Sequence, residues 1–295
     1  MEWTLLLLLV PAIVAPMVLL WGYAGCSFEP GGYLPSEPEN LMVTSATAGS
    51  ISLSWTQDDD VIVTFEVERL KVGETTPVML VTSEKSFTDQ GLLPQTAYRH
   101  RVRAVYGGVT SEFSNQVETV TLPAFPCFSS TLMTDQPGVE GFCLVQRIEP
   151  SRLAASGSEV FITIRGSTVA DLLIDRIYIS QPAVGGDVYD SAPDLTAVMA
   201  AQVMVPANTA VALPGVRYSL DRTRPLLVIF DVAMTPGTGN LRYLNPVPNT
   251  EAVMYFRPAT AEAAIADRQP SAGNPGAPPF EISNSIYLIE RITVA

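Results

Sequence analysis

Short alternations of apolar and polar residues, separated by turn residues, run through this chain from Leu41 to its end. Ser50-Ile51-Ser52-Leu53-Ser54-Trp55 puts Ile51, Leu53 and Trp55 on one face, the period-2 pattern of a half-buried strand. Leu41-Met42-Val43 and residues 61–70, 77–82, 86–88, 98–106 and 117–121 read the same way. Beyond Cys127 the pattern returns at 142–148, 160–165, 174–179, 209–213, 240–244, 253–256 and 285–294. Leu226-Leu227-Val228-Ile229-Phe230-Asp231-Val232 is apolar on both faces, which predicts a central strand. The last strand ends at the C-terminus, as expected of a strand held inside a sheet. Ala-rich 260–267 is a candidate for one short helix. The fold class is therefore all-β: a small β-sandwich at 38–122, then a larger jelly-roll-like β-sandwich at 127–295.

Composition supports that reading. Of 295 residues, 47% are hydrophobic and 16% charged, with 24 prolines and 20 glycines; this suits packed cores of short strands joined by turns. The net charge of −13 repels phosphate backbones and argues against a nucleic-acid partner. Lys71 and Lys85 are the only lysines, so no basic cluster addresses anionic lipid either.

The N-terminus has a different character. Residues 4–28 carry no charge and are long enough to form a hydrophobic helix across a bilayer; the position also suits a signal peptide. Tyr23-Ala24-Gly25-Cys26 resembles a bacterial lipoprotein processing box, departing from it at Tyr23, where a leucine-like residue is usual. That resemblance implies lipidation of Cys26. A retained anchor helix, a cleaved signal and a segment buried in an assembly stay open. Residues 1–26 are thus a signal or anchor segment and 27–37, rich in Gly, Pro and Ser, a linker. Setting Cys26 aside leaves Cys127 and Cys143, whose closure as a disulfide would contribute roughly 3 kcal/mol in the chain-entropy model. Two reduced, buried thiols are the alternative.

Several motifs in 38–122 point to one family. Pro38-Glu39-Asn40-Leu41 leads into Ser52-Leu53-Ser54-Trp55, Leu93-Pro94-Gln95-Thr96-Ala97-Tyr98 forms a turn before a strand, and Gly107-Gly108 precedes Ser111 and Ser114. This stretch resembles a fibronectin type III domain. The resemblance implies a core tryptophan at Trp55 and a tyrosine corner at Tyr98, whose hydroxyl would bond nearby backbone. His100, the one histidine, shares a strand face with Tyr98, Val102 and Ala104, which places it in the sandwich rather than in a metal or catalytic site. Gln57-Asp58-Asp59-Asp60 reads as a solvated loop.

The larger part carries a looser likeness. Ile177-Tyr178-Ile179 with Gly185-Gly186-Asp187-Val188-Tyr189-Asp190, Pro206-Ala207-Asn208-Thr209 and Leu226-Leu227-Val228-Ile229-Phe230 resemble a β-sandwich module of bacterial surface and phage or prophage tail-associated proteins. Such modules are thought of as receptor- or glycan-binding units. Asp187, Tyr189, Asp190 and Asp194 gather on one loop as candidate ligand-binding residues, offering hydrogen bonds and ring stacking to a sugar or carboxylates to calcium. Aspartates that cap local backbone are the competing reading. Residues 267–281 form a proline-glycine loop of a length often tied to contacts.

No nucleophile elbow, phosphate loop, dinucleotide fingerprint or zinc motif occurs, and no cofactor or metal is implied. A glycosidase-like carboxylate pair is the remaining enzymatic option. The order of anchor, linker, spacer and terminal sandwich instead predicts a non-catalytic, membrane-anchored extracytoplasmic adhesion protein with a surface glycan or protein as partner. The alternative is a phage or virion-associated spike, assembled as an oligomer or within a particle.

Overall fold

The computed structural model describes residues 33–58, 63–268 and 278–295. The predicted N-terminal helix, Cys26, Asp59, Asp60 and 269–277 of the proline-glycine loop lie outside the described residues.

The first alternating runs form eight strands: β1 (Glu39–Ala46), β2 (Ser50–Thr56), β3 (Thr64–Lys71), β4 (Val78–Thr82), β5 (Ser86–Gln90), β6 (Ala97–Tyr106), β7 (Val109–Thr110) and β8 (Val117–Val120). They pair antiparallel into a β1-β2-β5 sheet and a β4-β3-β6-β7 sheet, with β8 also on β6. Strand parity decides the core. Ile51, Leu53 and Trp55 of β2 face Phe65 and Val67 of β3 and Tyr98, Val102 and Ala104 of β6. The Trp55 and Phe65 rings meet edge to face, centroids 5.2 Å apart, a favoured aromatic geometry. The Tyr98 hydroxyl accepts the Leu93 N–H at 3.0 Å, closing the corner as the resemblance implies. The Ser111 and Ser114 hydroxyls accept the Ala104 and Val102 N–H groups and so complete the ladder where β7 gives way to β8.

The remaining strands are β9 (Phe125–Ser129), β10 (Thr134–Gln136), β11 (Phe142–Ile148), β12 (Gly157–Arg165), β13 (Leu172–Ser180), β14 (Thr196–Met199), β15 (Val203–Val205) and β16 (Ala210–Ala212). They continue as β17 (Val216–Leu220), β18 (Leu226–Val232), β19 (Leu241–Leu244), β20 (Ala252–Pro258), β21 (Glu281–Ser283), β22 (Ile286–Tyr287) and β23 (Ile289–Val294). A five-stranded sheet (β16-β12-β23-β9, with β17 on β12) packs against a seven-stranded one (β14-β13-β18-β11-β20-β21, with β15 on β13). A small β10-β19-β22 sheet accompanies them. Val160, Ile162, Ile164, Ile292 and Val294 of the smaller sheet meet Leu144, Val228, Phe230 and Met254 of the larger.

Every residue of β18 is buried, and it lies between β13 and β11, which accounts for its apolar residues on both faces. The C-terminal strand β23 runs between β12 and β9. Two expectations are corrected. The single strand expected over 285–294 is β22 and β23, broken at Leu288, whose φ of 59° is strained for a bulky residue. Its N–H and carbonyl bond Arg242 O and Arg165 N–H across that break, so the chain changes sheets without losing backbone partners. The helix expected at 260–267 is a series of turns. The Glu262 and Ala263 N–H groups donate to the Asp231 carboxylate, which replaces helical partners. Among the described residues no helix is long and apolar enough to cross a membrane.

Leu34–Ala295 is one compact unit, and the two sandwiches touch within it. Glu159 of β12 accepts the Gly49 N–H at 3.0 Å and the Thr47 hydroxyl at 3.2 Å. A side chain at Gly49 would run into the Glu159 carboxylate, so the close approach requires glycine there. The connecting chain is bound too: Thr121 and Leu122 donate their N–H groups to Thr96 O and Thr47 O. Glu159→Ala leaves two donors without their charged acceptor. We expect it to lower stability by about 1–3 kcal/mol in urea denaturation and to speed proteolysis at residues 121–124; unchanged values in both would refute this role.

Candidate functional site

Loop 182–195 leaves β13 and returns to β14 over the outer face of the seven-stranded sheet. Its four candidate residues do not converge on one point. Asp190 is buried; its carboxylate accepts the Asp187 N–H at 2.9 Å and the Arg268 N–H at 2.8 Å. Asp187 accepts the Tyr189 hydroxyl at 2.9 Å. Burial first, then that bond and the charge on Asp187, push the Tyr189 phenol up to about 12. The Tyr189 ring packs on Tyr255 and Phe280, centroids 5.5 and 4.5 Å away. Asp194 stands apart, accepting the Ser180 and Tyr218 hydroxyls, each at 2.9 Å. The aspartates thus tie down their own loop. Among the described residues no His, Cys, Asp and Glu side chains group to hold a metal ion.

Beneath the loop lies a polar cluster that the sequence reading missed. Asp231 of β18, Cys143 of β11 and Arg257 of β20 occupy one row across three adjacent strands. Arg257 binds Glu262 with two nitrogens at 2.8 and 2.7 Å, and both residues are fully buried. The Arg257 guanidinium also donates to Arg268 O at 2.6 Å and Pro278 O at 3.1 Å, and lies 4.2 Å from the Phe280 ring centroid. Arg268 donates to Tyr189 O and the Ser191 hydroxyl. Burial draws the Arg268 guanidinium down from its usual range. The signal available in the sequence was Asp231 inside an otherwise apolar strand.

The cysteines correct the disulfide expectation. Both are free and buried. Cys127 belongs to the core between the two sheets. Cys143 points to the opposite face of the seven-stranded sheet, so that sheet separates them. Burial raises both thiols, Cys143 well above the ordinary range, which leaves them unreactive.

His100 sits where parity placed it. Its Nε2 lies 2.8 Å from Asp89 Oδ2, and Arg69 donates to Asp89 Oδ1 at 2.9 Å. Both His100 and Asp89 are sealed from solvent, so no substrate reaches them.

Burial pushes the Asp231 carboxyl from 3.8 up to about 6, against the pull of the two backbone donors. The folded chain therefore keeps a proton there that the unfolded chain has already released. This group's effect is a fall in stability as pH rises from about 4 to about 6, complete above 6 and on the order of 3 kcal/mol. Asp231→Asn removes the titration. The difference in unfolding free energy between wild type and D231N should change across that window and stay flat above it; a constant difference from pH 4 to 7 would refute it.

Residues 36–120 match the model of the fibronectin type III domain family and form such a domain. An alpha-amylase of Niallia circulans is 40% identical over 95 residues, which is 30% of this chain and 7% of that enzyme's length. The solution structure of the fibronectin type III domain of human fibronectin type III domain containing protein 3 is similar at 25% identity. It has a TM-score of 0.28 and covers 32% of this chain and 91% of that one. A structure described as a myokine is 26% identical, TM-score 0.28, over 30% of this chain and 98% of that one.

Proposed function

We propose that this chain is a non-catalytic, membrane-anchored extracytoplasmic protein whose fibronectin type III domain carries a glycan- or protein-binding β-sandwich. The observation that carries the reading is the contact through Glu159, Gly49 and Thr47. It makes the fibronectin domain a stiff support, as presentation of a binding module away from a surface requires. Fibronectin type III domains are generally extracellular and typically non-catalytic. The likeness to a stretch of an alpha-amylase supports a carbohydrate as the partner class. The apolar segment 4–28 is the proposed membrane attachment, with Cys26 as the alternative lipid-bearing residue.

Full-length chain applied to a broad glycan array and used in pull-downs with surface proteins should give a saturable partner. No partner in either format would overturn the binding reading. In fractionated cells the chain should sediment with membranes and be released by detergent but not by high salt. Recovery in the soluble fraction would overturn the anchor.

A further inference from the structure

The two sandwiches leave a cleft of about 360 Å³ between the 93–96 corner of the first and the outer face of the five-stranded sheet. That volume falls at the small end of ligand sites, which run from about 300 to 1,000 Å³ and favour domain interfaces. Phe161 and Pro94 give it apolar walls, while Gln95, Thr163, Thr293 and Arg291 supply polar groups. Among the described residues none of those four side chains has a hydrogen-bond or ion-pair partner. No aspartate or glutamate lines the cleft, in a chain of net charge −13. Glu290, beside Arg291 in sequence, is already held by two Arg165 nitrogens at 2.9 and 2.8 Å. Arg291 is therefore a cation without a counter-charge, facing a cavity edged by hydroxyls and an amide.

This donor set defines a ligand. A guanidinium matches a carboxylate through two parallel N–H bonds. Threonine hydroxyls and a glutamine amide both donate and accept, as the hydroxyls of a sugar do. We propose that the cleft binds the carboxylate-bearing end of an acidic saccharide, Arg291 taking the carboxylate and Thr163, Thr293 and Gln95 the ring hydroxyls. The assignment rests on the reading of this chain as a glycan binder and names its site and ligand class. It also makes the fibronectin domain half of the site, because Gln95 and Pro94 belong to that domain.

The test is calorimetric titration of the full-length chain with a glucuronate-terminated disaccharide and its glucose-terminated counterpart. The acidic sugar should bind at least about tenfold more tightly, the worth of one charge-assisted contact. Arg291→Gln should erase that preference without changing the melting temperature, since the Arg291 side chain is exposed and bonds no described residue. The double variant Thr163→Val with Thr293→Val should weaken both sugars alike. Equal affinity of wild type and R291Q for the acidic sugar, or no acidic preference in wild type, would overturn the assignment. Array glycans that bind R291Q unchanged would overturn the cleft and leave the glycan reading standing. Disaccharide binding through Arg291 with an empty array and empty pull-downs would uphold the cleft and overturn the surface-partner reading.

Discussion

The outer face of the seven-stranded sheet is covered by chain without regular structure, and two side chains make that possible. Asp231 receives the N–H groups of Glu262 and Ala263. Arg257 receives the Glu262 carboxylate and holds the carbonyls of Arg268 and Pro278. Irregular backbone cannot be buried unless its polar groups find partners. Here the sheet itself supplies them, from one row of residues. With that row in place Leu227, Ile229, Val145 and Tyr255 become a second core; without it they would face water. A buried ion pair adds little net stability over an apolar substitute, yet losing one partner costs about 3–5 kcal/mol. Arg257 and Glu262 are therefore better understood as fixing where the covering chain lies than as a source of stability.

The second constraint is the contact between the sandwiches. Glu159 reaches the 47–50 turn only because Gly49 offers its N–H with no Cβ in the way. Gly215 likewise lets the chain approach the Phe161 ring. The connector 121–124 is bonded to the first sandwich over its first half and then enters β9. Relative motion of the two bodies would break the hydrogen bonds that Gly49 and Thr47 donate to Glu159. Those bonds also restrain the cleft between the sandwiches, and pre-organisation of this kind favours binding at a small polar site.

Much of this was legible because parity in strands is a strong signal. It put Trp55, Tyr98 and His100 in the first core and made β18 central. The failures share a cause. Alanine content at 260–267 favours a helix, but eight residues nucleate one poorly, and Asp231 offers the backbone better partners. An even count of cysteines suggests a disulfide but carries no information on which face each strand presents. Strands as short as β10 and β15 contain too few alternations to be seen. The loop aspartates were visible as a cluster, but their hydrogen-bond partners, Arg268, Ser180 and Tyr218, come from distant sequence.

That distance explains why charge pairing says more about this protein than charge content. A net charge of −13 suggests a surface indifferent to anions. Yet the arginines of β6 and β12 are matched one by one to glutamates on neighbouring strands, Arg101 to Glu68, Arg103 to Glu66 and Arg165 to Glu290. Exposed pairs of this kind contribute little stability; their consequence is that the field near each of those arginines is neutralised. Arg291 differs because Glu290, its neighbour in sequence, is held by Arg165 and because the fibronectin domain places an amide and a proline, not a carboxylate, across from it. An acidic protein thus keeps a cation without a described counter-charge at this cleft, and the excess negative charge around it disfavours multiply charged anions more than a single carboxylate.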